Sequence, residues 1–136
     1  GDEQHGIVVA TIDQSGPRNW GCYGTDLPGA AASSIGSGKQ NTQDIRNACA
    51  GSAASVAASY QGGGYTGWYL PSLGELQLIY QMRNSIGNLS NTTTGIYWSS
   101  TEGNASCAQG INFLQNETAC WIKDFGYGAV RAVRNF

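Results

Sequence analysis

Gly67-Trp68-Tyr69-Leu70-Pro71-Ser72-Leu73-Gly74-Glu75-Leu76 carries the sharpest local signal in this chain. Ser72 and Glu75 stand three residues apart, the spacing of a capping box: the serine hydroxyl accepts from the N3 amide and the glutamate accepts from the N-cap amide. Pro71 stands just before the cap. Leu73, Leu76, Ile79 and Tyr80 then form one apolar stripe at helical spacing. A helix is predicted from Ser72 to about residues 84–87, with Arg83 near its negative end.

Upstream, Ile45, Ala48, Cys49, Ala53, Val56, Ala57 and Tyr60 recur at helical spacing and predict a first helix, capped by Asn41 or Thr42 and weakened by Gly51. Asp44 is expected in its first turn, where the helix dipole favours a carboxylate. Residues 6–12 are apolar and β-branched and read as an opening strand, whereas residues 13–38 read as irregular. Downstream, residues 96–99, 110–114, 119–125 and 129–136 are short strand candidates in a meander-like tail. Two helices packed on short, mainly antiparallel strands with long loops make an α+β domain, its first and last strands free to pair. No repeat or linker divides residues 1–136, so one domain is expected.

Of the 136 residues only 12% are charged, against roughly 25% in an average soluble protein, while 20 are glycine. This is the composition of an exported, loop-rich domain. A net charge of −2 provides no global field for nucleic acid, and no apolar run approaches the ~20 residues of a membrane helix. Residues 1–5 lack the pattern of a signal peptide, which is compatible with earlier removal of one. Cys22, Cys49, Cys107 and Cys120 have neither zinc-site nor C-x-x-C spacing, so disulfides and an oxidising compartment are expected. Three pairings are open to four cysteines; the sequential one, Cys22 to Cys49 and Cys107 to Cys120, closes the shortest loops and is the expected one. Each bridge would contribute roughly 3 kcal/mol.

Five segments in order carry a family resemblance: His5-Gly6-Ile7-Val8-Val9-Ala10, Ile35-Gly36-Ser37-Gly38-Lys39-Gln40-Asn41-Thr42, the Gly67 to Leu76 stretch, Tyr97-Trp98-Ser99-Ser100-Thr101 and Val130-Arg131-Ala132-Val133-Arg134. Together they span nearly the whole chain. It resembles the bacterial Lcl-C-like domains, the C-terminal heads of collagen-like adhesins such as that of Legionella. The resemblance implies a C-type-lectin-like fold related to the formylglycine-generating enzyme, presentation as a homotrimer on a secreted or surface-displayed bacterial protein, and adhesion to sulfated glycosaminoglycans. A trimerising or host-protein-binding display domain without glycan specificity is the alternative.

The residue chemistry gives little purchase to catalysis. The single histidine, His5, is at a terminus, and Asp44 and Glu75 are accounted for by helix starts, so no triad or carboxylate pair assembles and no enzyme activity is expected. Formylglycine-generating activity would need reactive cysteines, which disulfide formation removes. Gly36-Ser37-Gly38-Lys39 departs from a phosphate loop because Gln40 stands where Ser or Thr would bind magnesium; a tight turn into the first helix, with Lys39 exposed, is expected. Neither Glu-Pro-Asn nor Trp-Asn-Asp occurs, and Asn116, Glu117 and Asp124 read as scattered surface groups, so neither metal nor other cofactor is assigned.

Residues three apart on a strand face opposite sides, so one of Arg131 and Arg134 is expected to be structural, with Glu75 or Glu102 as its partner. That leaves Arg18, Lys39, Arg46, Arg83 and Lys123 as sulfate contacts. Trp20, between Asn19 and Gly21, is the expected exposed aromatic platform, with Tyr60, Tyr65 and Tyr127 as further stacking residues; Trp68, Trp98 and Trp121 are assigned to the core. The sequons at Asn88, Asn91, Asn104 and Asn116 read as polar loop residues in a bacterial chain.

Overall fold

Neighbouring side chains on a strand point to opposite faces, and in Ile96–Glu102 all seven residues are buried, so this strand carries packing on both sides. The computed structural model describes residues 6–89 and 94–136. Among these residues the strands are β1 (Ile7–Val9), β2 (Ser15–Arg18), β3 (Ile96–Glu102), β4 (Cys107–Asn112), β5 (Glu117–Ile122), β6 (Gly128–Val130) and β7 (Val133–Asn135). The α-helices are α1 (Gly38–Ala48), α2 (Ala53–Ala58), α3 (Leu73–Gln81) and α4 (Arg83–Ile86). The molecule is thus α+β, as expected. His5 and the sequon at Asn91 lie outside the described residues.

Five strands form one sheet in the order β2-β6-β3-β4-β5, and β1 pairs with β7 in a second. β3, β4 and β5 are an antiparallel meander; β6 returns parallel to β3. The opening and closing strands pair antiparallel, Val8 opposite Arg134, and Tyr69 bridges to Val133 from the other side. On one face of β3, Trp98 packs with Trp20, Ile45, Leu70 and Val130; on the other, Tyr97 packs with Tyr69, Leu76, Ile79 and Phe113.

The capping box predicted at Ser72 is formed: Glu75 N donates to Ser72 Oγ at 3.3 Å and Ser72 N donates to Glu75 Oε1 at 2.8 Å. The first predicted helix is corrected. It starts earlier, at Gly38 after the Ser37 cap, and it is two helices. Cys49 is extended because it is bonded to Cys22, Gly51 takes φ +69°, and Ser52 opens α2 by accepting from Ser55 N at 3.1 Å. Asp44 therefore lies beyond the first turn, where it accepts from Gln40 Nε2 at 3.1 Å. Four helices stand where two were expected, because the second predicted helix also breaks at Met82. Likewise residues 129–136 are two strands, each bonded to a different sheet, and β2 lies within the stretch read as irregular.

Both disulfides follow the sequential pairing, with Cα–Cα distances of 5.7 Å for Cys22–Cys49 and 5.4 Å for Cys107–Cys120. The two bridges are compatible with an extracellular protein. No described helix is long and apolar enough to cross a membrane.

Candidate functional site

Positions i, i+3, i+4, i+7 and i+8 share one face of a helix, and on α1 these are Lys39, Thr42, Gln43, Arg46 and Asn47. That face is one wall of an open groove of about 540 Å³. Ala50 and Gly51 close one end, Ser55 and Ala58 come from α2, and Gly67, Trp68 and Tyr69 form the opposite wall. The walls are fastened together by Thr42: Leu70 N donates to its Oγ1 at 3.0 Å, and the hydroxyl donates to Leu70 O at 3.3 Å. Lys39 and Arg46 are both exposed, seven residues apart and so about 10 Å along the helix axis.

The groove is lined by hydroxyls, amides and these two cations, and no carboxylate lines it. The nearby acid of α1, Asp44, is turned toward Gly29 and Gln40. Arg18 stands at the Gly51 end: its Nη2 donates to Gly51 O at 2.5 Å and its Nε to Asn19 O at 3.2 Å. Gly36-Ser37-Gly38-Lys39 is the turn into α1, with Lys39 exposed as expected.

The structure separates the expected sulfate contacts into three groups. Lys39 and Arg46 line the groove, and Arg18 is bonded to its Gly51. Arg83 does not belong to it; its Nη1 donates to Tyr80 O at 2.8 Å, its guanidinium lies 4.0 Å from the Tyr80 ring centroid, and it lines a separate depression with Asn84 and Asn88. Lys123 is removed from the ligand set: its side chain is 0% exposed, with Nζ 3.0 Å from Glu102 Oε2 and donating to Thr25 O at 3.0 Å. A buried ammonium needs such partners, since desolvation costs several kcal/mol per ion.

Trp20 is likewise corrected from exposed platform to core. It is 0% exposed, and its indole N–H donates to Ser99 O at 2.7 Å. Its own backbone is held on both sides, Trp20 N to Lys123 O at 3.0 Å and Ala53 N to Trp20 O at 2.9 Å. Lys123 Nζ sits 4.9 Å from its ring centroid, so the two misassigned residues share one buried cluster. Trp68 and Trp98 are buried as expected and Trp121 packs against the same core.

Arg131 is the structural arginine, although with a different partner: Nε donates to Asp13 Oδ1 at 2.8 Å, Nη1 to Ala10 O at 2.9 Å and Nη2 to Asn88 O at 2.5 Å. Glu75 and Glu102, expected as partners, are occupied by the capping box and by Lys123. Arg131 lies between β6 and β7 and Arg134 within β7, so the two belong to no common strand, and Arg134 is half-buried with other partners. Its guanidinium carbon lies 4.2 Å from the Tyr65 ring centroid and 5.9 Å from that of Trp68, with Nε donating to Thr66 O at 3.3 Å. Trp68 lines the groove, and Arg134, which the sequence reading set aside, neighbours that ring without itself lining the groove. No sequence signal marked it, because its partner Thr66 lies 68 residues away in the chain.

Of the other aromatics, Tyr60 packs edge-on against Trp68 at 4.9 Å and Tyr127 against Phe125 at 5.5 Å, while Tyr65 remains 54% exposed. Asn116, Glu117 and Asp124 are exposed, and among the described residues no three His, Cys, Asp or Glu side chains group to hold a metal ion. No protein-family model and no curated protein sequence matches the chain.

Proposed function

We propose that this chain is a non-enzymatic extracellular binding head for sulfated glycosaminoglycans, on a C-type-lectin-like domain that acts as a homotrimer. One observation carries the reading: Lys39 and Arg46 line one groove that no carboxylate lines, with Arg18 bonded to its Gly51 and Arg134 beside its Trp68, in a molecule whose sum charge is −2. The molecule's ion pairs among described residues use the buried Lys123 and Arg131, so the cations left over are the ones at the surface. An open, polar groove suits a flexible anionic polymer better than a compact apolar ligand.

Magnitudes explain why assembly belongs to the reading. An exposed ion pair contributes roughly 0.2 to 1 kcal/mol, so a few such contacts on one subunit give about 3 kcal/mol at most, weaker than millimolar. Several linked copies against a repeating polymer raise avidity by ~10² to 10⁴. Titration with heparin at two ionic strengths, with oligomeric state measured in the same samples, tests it. Binding falls steeply with salt and weakens in Lys39→Ala/Arg46→Ala; retention indifferent to salt would refute it. A display domain without glycan specificity predicts no difference between sulfated and desulfated heparin.

A further inference from the structure

Arg134 differs from the other groove cations in how it is held. The Tyr65 ring centroid lies 4.2 Å from the Arg134 guanidinium carbon, and the arginine Nε donates to Thr66 O at 3.3 Å. An arginine has five N–H donors, and here one is used, leaving the Nη1–Nη2 edge as an open fork. Among the described residues no carboxylate pairs with it. Lys39 and Arg46, by contrast, are exposed and make no hydrogen bond or ion pair with the protein through their side chains among the described residues.

A guanidinium held by a ring and a backbone carbonyl offers its remaining planar edge to a planar acceptor. Carboxylate oxygens meet it as two parallel, charge-assisted hydrogen bonds. A tetrahedral sulfate gains less from a fixed plane and is served as well by a mobile point charge. We infer that Arg134 is the specificity residue of the groove and takes the carboxylate of a uronic acid unit, with the exposed Tyr65 ring beside it to receive an apolar sugar face. The inference rests on the glycan reading above and adds that both anion types are read, sulfate by Lys39 and Arg46, and uronate by Arg134.

Heparin and carboxyl-reduced heparin, which keeps its sulfates, separate the two claims when titrated against the wild-type chain, Arg134→Lys and Lys39→Ala/Arg46→Ala, with melting curves for each. The wild type binds carboxyl-reduced heparin at least about tenfold more weakly, since one charge-assisted hydrogen bond alone is worth that factor. Arg134→Lys keeps the charge, loses about the same factor on heparin and loses nothing further on the reduced polymer. The groove double variant weakens on both polymers alike. Equal, salt-sensitive wild-type binding to both polymers overturns the uronate assignment and leaves the sulfate reading standing; binding to neither overturns both. An equal loss on both polymers in a folded Arg134→Lys also overturns it, since the guanidinium would then serve a contact that needs no carboxylate.

Discussion

At the scale of single residues, the seven cations of this chain divide by how their charge is compensated. Lys123 is enclosed by Glu102, Thr25 and the Trp20 ring, and Glu102 in turn accepts from Leu27 N at 2.8 and 2.9 Å. Removing one partner strands the other charge in the core. Lys123→Met is therefore expected to destabilise by about 3 to 5 kcal/mol in urea unfolding, and Lys123→Met/Glu102→Gln to recover much of that loss. A double variant no more stable than the single one would show that the pair is not the source of the cost. Tyr69 supplies a second case. Burial first, and the Glu75 carboxylate second, push its phenol well above the ordinary value of 10.0, while its hydroxyl donates to Asn135 Oδ1 at 2.6 Å. Below that value the phenol is protonated in both states. Above it the unfolded chain releases a proton that the folded chain keeps, so stability falls as pH rises beyond about 10. Tyr69→Phe is expected to flatten the dependence of melting temperature on pH between about 9 and 11, and an unchanged slope would count against this source.

At the scale of elements, the start of α1 and the start of α3 are one construction. A methyl group on Gly38 would collide with Glu75 Oε1 and reach 2.8 Å from Ser72 N and 2.9 Å from Leu70 O, so two helix N-termini meet there without room for a side chain. Gly36 N also donates to Glu75 Oε2 at 3.0 Å, which makes this carboxylate serve both ends. Gly38→Ala is expected to cost about 1 to 3 kcal/mol by overpacking. Gly16→Ala, on β2 with nothing within 4 Å of the added carbon, is expected to change little. Equal thermal shifts in the two variants would show that the contact with Glu75 is not what excludes alanine. The capping box itself was legible because its two residues are three apart in sequence. The division of the first predicted helix was not, because a periodic pattern over residues 42–60 does not record that Cys49 is drawn out toward Cys22.

Across the whole molecule the two disulfides have different reach. Cys22–Cys49 joins the segment after β2 to the end of α1, next to Ala50 and Gly51 of the groove lining, whereas Cys107–Cys120 ties β4 to β5 at the sheet edge. Chain-entropy arguments give both a similar contribution, roughly 3 kcal/mol each. Cys22→Ala/Cys49→Ala is expected to weaken heparin binding as well as stability, and Cys107→Ala/Cys120→Ala to lower stability with binding retained. Thermal melts and heparin titrations on both pairs decide this, and equal losses of binding would detach the groove from the first bridge.

Features set by chemistry between near neighbours could be read from the chain: the α3 cap, the sequential disulfides and the mixed α+β class. Burial of Lys123 and Trp20 could not. Their environments are assembled from residues 25, 99 and 102, far along the chain, and a desolvated lysine looks the same in sequence as a solvated one. The groove followed from neither composition nor motif, because it exists only where α1, α2 and residues 67–69 are packed side by side. Short-range hydrogen bonding is encoded by spacing, whereas the partner of a buried charge depends on which distant segments packing brings within about 3 Å of it.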